Sequence, residues 1–168
     1  FQGDPYTQTD ERYEHRHQWR RNLPDDEHNQ IPSAGGASAD EVRWAELRFV
    51  MSGATSTVSA GSATGLLRNL DSNNQEQLGQ PVITSETFPL DDSDGTRRTA
   101  DCNYGGTADT TSVFDSVDAY EAHVSEGIDQ SARNEFLCVS STTYDTAAPG
   151  VSNYLPTTEC SCVHSAGL

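Results

Sequence analysis

The sequence predicts an α+β fold in which an N-terminal helix packs on an antiparallel sheet and disulfides tie the C-terminal half. Helix-capping signals occupy the N-terminal third, short β-compatible runs separated by turn residues follow, and all four cysteines lie between positions 102 and 162. Only 33% of the 168 residues are hydrophobic. The core is therefore lean, and covalent cross-links would help to stabilise it.

The first five residues, FQGDP at 1–5, resemble the end of a tag-cleavage sequence followed by a cloning-site remnant. We assign them to a tag remnant and exclude them from the fold. Residues 6–37 are predicted to form an N-terminal helix and a linker. The linker is recognised by its prolines and by a Gly-Gly pair.

The predicted N-terminal helix covers residues 7–22, TQTDERYEHRHQWRRN. Thr9 or Asp10 can cap it, arginines complement its end, and Pro24 follows shortly after. The helix is strongly polar, and its apolar stripe is too thin to anchor it alone. We expect a signal peptide or a membrane anchor upstream of it.

Residues 38–168 are predicted to form a single α+β domain. Its first element is a helix that starts at Ser38, three residues before Glu41 as in a capping box, and stops at Gly53. Alternating apolar residues within this stretch also fit a strand, and we predict the helix.

Strands are predicted at 54–65 and 80–88, where small, β-branched and turn residues alternate. Residues 111–129 predict a short strand followed by a helix that Asp115 or Ser116 caps and Gly127 ends, with Val117, Tyr120 and Val124 facing the core. The apolar run within 134–144 predicts a central strand, and the tail TTECSCV predicts another strand.

The charge balance excludes two classes of partner. All ten basic residues are arginines, they face 26 acidic residues, and the net charge is −16. Such a surface repels phosphate backbones and anionic lipid, so nucleic acid and bare membrane are excluded, and no apolar run is long enough for a membrane span. Lysine depletion with surplus carboxylate is typical of proteins adapted to concentrated salt, while a GC-rich genome is the alternative explanation.

The four cysteines, Cys102, Cys138, Cys160 and Cys162, predict two disulfides and hence an oxidising, extracellular location. The preferred pairing joins Cys102 and Cys138 each to one of the C-terminal pair, because a Cys160–Cys162 bridge would be strained. Zinc is the alternative, since the two C-terminal cysteines and His164 alternate along one side of a strand.

The acidic stretch LDDSDGTRRTADC, residues 90–102, is a candidate calcium loop. Gly95 occupies the required sixth position, and Asp91, Asp92 and Asp94 could supply ligands. The first position is a leucine, however, so a solvated turn is preferred and calcium is the candidate cofactor that stays open.

The histidines do not predict an active site. On a continuous helix His15 and His17 point about 200° apart, so they are expected to be exposed and unable to share an ion without ligands from other elements. There is no G-x-S-x-G elbow, and His123 is the only histidine placed for a core-facing role. We therefore predict that the chain is not an enzyme; a secreted enzyme would use His123 or His164 with carboxylate partners.

The layout of a polar N-terminal helix, a linker, a sheet and a cysteine-tied C-terminal region resembles a type IV pilin or pseudopilin ectodomain. That resemblance implies that the helix at 7–22 packs in a filament while the region 102–162 is displayed outwards. The predicted function is a non-enzymatic extracellular or cell-surface module for assembly or adhesion, with protein partners or other protomers. A receptor-binding viral or cell-surface spike domain and a secreted enzyme are the alternatives.

Overall fold

A computed structural model describes residues 10–21, 27–31, 36–58, 63–72, 76, 79–105, 113, 116–141 and 143–145. The chain divides into two compact units. Unit 1 contains the described residues from 36 to 85, and unit 2 contains those from 10 to 31 and from 86 onwards. The division does not coincide with the predicted boundary between residues 37 and 38, since the N-terminal segment belongs to unit 2.

The described residues include both helices and short strands, and this mixed content agrees with the predicted α+β class. The elements are α1 (Arg16–Arg20), α2 (Ala39–Met51), β1 (Ser56–Thr57), β2 (Arg68–Asn69), β3 (Thr84–Glu86), β4 (Tyr120–Ala122) and α3 (Gln130–Ser140).

The helix α2 forms as its sequence predicts. The Ser38 side chain accepts a hydrogen bond from the Glu41 backbone N–H, and the Glu41 carboxylate accepts one from the Ser38 N–H at 2.7 Å. Gly53 follows the helix with φ +98°, a conformation that favours glycine. Glu46 is buried and accepts hydrogen bonds from the backbone N–H groups of Ala63 and Leu67, which fixes α2 within unit 1.

The predicted sheet is only partly confirmed. Two two-stranded sheets are described, β1 with β2 and β3 with β4. The first pair is parallel, with Ser56 opposite Arg68 and Thr57 opposite Asn69, so the antiparallel prediction is wrong for these strands. The small residues of this region satisfied a β-pattern but did not specify the direction of pairing.

The central strand predicted within 134–144 is wrong, because α3 occupies most of that segment. Asp129 caps α3 by accepting a hydrogen bond from the Ala132 N–H at 2.8 Å. The side chains that α3 buries follow a helical period and include polar ones: Ser131, Ala132, Asn134, Glu135, Cys138 and Val139. Polar residues on the buried face hid the helical pattern from a search for apolar periodicity.

The helix predicted within 111–129 is also wrong where the structure describes it. β4 pairs with β3, and the His123 N–H donates to the Glu86 carbonyl at 3.0 Å. Tyr120 and Val124 are buried as predicted. Two residues four apart share one side in both a helix and a strand, so the core positions were correct although the element was not.

The continuous helix predicted for 7–22 is wrong for the residues that are described. Only Arg16–Arg20 are helical, and residues 10–14 are not. Residues 14–16 instead lie alongside residues 126–128: His15 and Gly127 form an antiparallel bridge, and the Arg16 N–H donates to the Glu126 carbonyl at 2.8 Å. The first segment of unit 2 is thus held by strand-like backbone contacts.

The hydrophobic core of unit 2 surrounds a disulfide between Cys102 and Cys138. Both half-cystines are buried. The predicted pairing of each of these with a C-terminal cysteine is wrong, because α3 brings Cys138 beside Cys102. Cys160 and Cys162 lie outside the described residues.

Candidate functional site

A buried cluster of charged and imidazole side chains lies in unit 2, beginning at the N-terminus of α1. His15 is the N-cap of α1 with extended backbone (φ −150°, ψ 146°), and its N–H donates to the Gln18 side chain. This extended residue replaces the helical geometry that would have separated His15 from His17. Their rings therefore approach to 5.0 Å between centroids.

Each imidazole is paired with a carboxylate from a distant part of the chain. His15 Nε2 lies 2.7 Å from Glu135 Oε1, and His17 Nε2 lies 2.8 Å from Asp92 Oδ2. His15 Nδ1 accepts from the His17 backbone N–H, and His17 Nδ1 accepts from the Arg20 guanidinium at 3.4 Å. The tautomer that fits these contacts has its ring proton on Nε2, where it faces the carboxylate.

Arg16 lies between the two carboxylates and is fully buried. Its Nη2 donates to Asp92 Oδ2 at 2.6 Å and lies 4.0 Å from Glu135 Oε2. Its Nη1 donates to the carbonyls of Thr87 and His123, both at 2.8 Å. The guanidinium thus joins α1 to two other segments of unit 2.

Arg16 and its carboxylate partners each stabilise the charged form of the other. Burial alone would lower the pKa of Arg16, but the charges of Glu135 and Asp92 outweigh it and raise that pKa above its ordinary value. Burial alone would raise the pKa of Asp92, but the hydrogen bond from His17 and the charge of Arg16 hold it below 3.8. Burial lowers the pKa of His17 below 6.5, in keeping with an uncharged ring.

No family model, no curated protein and no solved structure matches the chain. Among the described residues, no helix combines the length and the apolar character that crossing a membrane requires.

The acidic loop does contain the preferred turn, since the Gly95 N–H donates to the Asp92 carbonyl at 2.9 Å. The turn is not wholly solvated, because Asp92 is fully buried against α1. Asp94 instead accepts from the backbone N–H and hydroxyl of Thr96, and Asp91 has a positive φ of 58°. Asp92 Oδ2 is already shared by a guanidinium and an imidazole; a calcium site on the three aspartates stays a prediction.

The prediction that His15 and His17 are exposed is wrong, since both are buried at 1% exposure or less. Sequence reasoning also missed Glu135, which it placed on a strand. The sequence did contain a signal for the position of His15. A capping residue followed three positions later by a glutamine, here His15 and Gln18, marks the start of a helix.

His123 lies outside this cluster and is only 22% exposed. Its Nε2 is 3.4 Å from Glu121 Oε1 and its Nδ1 is 3.9 Å from Glu126 Oε1, so it has the carboxylate neighbours that the enzyme alternative expects. His164, the other histidine of that alternative, lies outside the described residues.

A second feature lies in unit 1, on the outer side of α2. At 3.6 residues per turn, four exposed apolar side chains fall within a sector of about 120°. They are Trp44, Leu47, Val50 and Met51. Trp44 is 64% exposed and Met51 is 80% exposed, while Glu46, which lies about 160° from Trp44 around the helix axis, is buried.

Proposed function

We propose that the chain is a non-enzymatic extracellular or cell-surface module that assembles through α2, with a second copy of the chain as the partner. The observation that carries the proposal is the exposed apolar stripe of α2. Contiguous exposed apolar side chains typically mark interaction surfaces. Trp44, Leu47 and Met51 have the i, i+3, i+7 spacing with which a helix docks on a protein.

Charge complementarity favours a second copy. Asp40, which pairs with Arg43 of its own copy at 2.8 Å, and Arg48 lie four residues on either side of Trp44, and both are exposed. An antiparallel pairing that opposes the two Trp44 side chains brings Asp40 of one copy level with Arg48 of the other. Opposite charges at the ends of the stripe would set the direction of pairing.

The remaining parts of the proposal rest on composition and on the disulfide. A buried disulfide is typical of proteins that fold in an oxidising compartment, which supports an extracellular location. The net charge of −16 opposes self-association at low salt, and salt screens that repulsion. Concentrated salt, to which the composition is adapted in this proposal, therefore favours assembly through α2. The pilin-like version and the receptor-binding alternative stay predictions.

The test is the oligomeric state of the intact chain, measured by analytical ultracentrifugation at about 0.1 M and about 1 M NaCl, where the screening length falls from about 10 Å to about 3 Å. We expect a monomer–dimer equilibrium that strengthens with salt. Trp44→Ala should weaken dimerisation by about 2 kcal/mol, the effect of losing an interface anchor. Trp19→Ala is the matched control, because Trp19 is an exposed tryptophan of unit 2. A chain that stays monomeric at both salt concentrations, or two variants that associate equally, would contradict the proposal.

A further inference from the structure

The buried cluster of unit 2 contains a set of metal-ligating side chains. His15, His17 and Glu135 each offer one ligand atom, and these atoms all lie within 4.8 Å of one another. All three residues are buried. Two imidazoles and one carboxylate are the protein ligands of many zinc and non-haem iron sites.

The charge of the cluster favours a cation. Asp92 and Glu135 are both fully buried, and among the described residues Arg16 is the one guanidinium that contacts both of them. The two buried carboxylates thus carry one more charge than the buried guanidinium, while the partly buried Arg20 reaches the cluster at His17 Nδ1. Buried net charge is costly unless it is compensated.

An independent observation points the same way. Two oxygens, Asp92 Oδ1 and Ser125 Oγ, are buried and have no hydrogen-bond partner among the described residues. The Ser125 backbone N–H donates to Glu135 Oε2, so this serine also borders the cluster. Buried polar groups without partners commonly indicate an ion or water that completes the site.

We propose that His15, His17 and Glu135 bind one divalent transition-metal ion of the zinc class. The nitrogen ligands decide the class, since imidazole suits zinc, copper, nickel and iron, whereas calcium takes six to eight oxygen ligands. His15 binds as a neutral imidazole through Nε2: its ring proton moves from Nε2 to Nδ1, which gives up the hydrogen bond from the His17 N–H, and Glu135 Oε1 faces the ion in place of that proton. His17 binds through Nδ1, so the Arg20 guanidinium leaves that nitrogen. Asp92 accepts the ring N–H of His17 and orients that ring, as carboxylates around metal-binding histidines do.

A cleft with an excess of acidic residues lies next to His15 in the chain. It has a volume of 710 Å³ and is lined by Asp10, Glu11, Glu14 and Glu27 together with Arg12, His28 and Asn29, and Glu14 directly precedes His15. An excess of one sign of charge in a cleft raises the local concentration of the opposite ion.

The test uses Zn²⁺ alone, titrated by calorimetry into the intact, disulfide-bonded chain. We expect one ion per chain. Glu135→Gln keeps an oxygen that can accept from Ser125 but removes the negative charge. It should raise the dissociation constant for Zn²⁺ by about 100-fold or more. His123→Gln is the matched control, because the His123 imidazole has carboxylate neighbours but is not one of the proposed ligands, and the change keeps the backbone carbonyl that accepts from Arg16; it should bind as the parent chain does.

Co²⁺ provides a second readout that needs no variant to fold. Visible absorption of the cobalt-loaded parent chain should show nitrogen and oxygen ligands without a thiolate-to-cobalt band. His164→Gln separates this site from the C-terminal cysteines and histidine. The proposal is wrong if no ion binds stoichiometrically, if a thiolate band appears, or if His123→Gln or His164→Gln weakens binding while Glu135→Gln does not. Assembly through α2 can fail independently, since α2 belongs to unit 1.

Discussion

Replacing Arg16 with methionine tests whether the buried guanidinium stabilises unit 2. Methionine keeps much of the side-chain length but removes the charge and every donor. The change leaves Asp92 without its guanidinium partner, and it leaves the Thr87 and His123 carbonyls without the hydrogen bonds that Arg16 donates. Removing one partner of a buried ion pair typically costs about 3–5 kcal/mol. We expect a loss of that size in the free energy of unfolding.

The assay is urea unfolding followed by tryptophan fluorescence in a Trp44→Phe background, so that Trp19 reports on unit 2. A lower midpoint with an unchanged slope indicates lost stability. The matched control is Arg43→Met, because Arg43 makes an exposed pair with Asp40 at 2.8 Å. Exposed pairs typically contribute at most about 1 kcal/mol.

A double-mutant cycle separates the ion pair from general damage to the fold. Asp92→Asn removes the charge that Arg16→Met would strand, so the double variant should lose less stability than the sum of the single losses. If Arg16→Met costs no more than Arg43→Met, or if the single losses simply add, then the guanidinium does not stabilise unit 2 through Asp92.

Two further changes test the contacts that build unit 2. A methyl group at Gly127 would lie 2.4 Å from the Glu14 carbonyl oxygen, so Gly127→Ala should cost about 1–3 kcal/mol, while Gly36→Ala, with nothing within 4 Å, should be nearly neutral; equal urea midpoints would contradict this. The disulfide spans a sequence separation of 36 residues, for which the chain-entropy model gives about 4 kcal/mol. Cys102→Ala combined with Cys138→Ala should therefore lower the midpoint strongly in non-reducing urea, and an unchanged midpoint would show that the cross-link contributes little.

The α2 region shows what local sequence could predict. A capping box at Ser38 and Glu41 and a glycine at position 53 specify where a helix begins and ends, and both signals act within a few residues. The turn at Asp92–Gly95 was predictable for the same reason. In α3 the local signal was misread, because the buried face carries Asn134 and Glu135, and apolar periodicity alone then favoured a strand.

The buried cluster could not be predicted in this way. His15 pairs with a residue 120 positions away, and Arg16 with one 76 positions away. A charged or imidazole side chain is expected to be exposed unless a partner compensates it, and the partner becomes known only when the chain has folded.

The sequence by itself determined the composition of this protein: an acidic surface without lysine, a lean supply of apolar residues, and cysteines suited to cross-linking. It also determined the limits of α2, because capping is a contact between neighbours in the chain. The tertiary structure alone decided which cysteines pair and which charges are buried. Both depend on α3 bringing Glu135 and Cys138 against distant segments, and contacts of that range leave no periodic signal in the residues that make them.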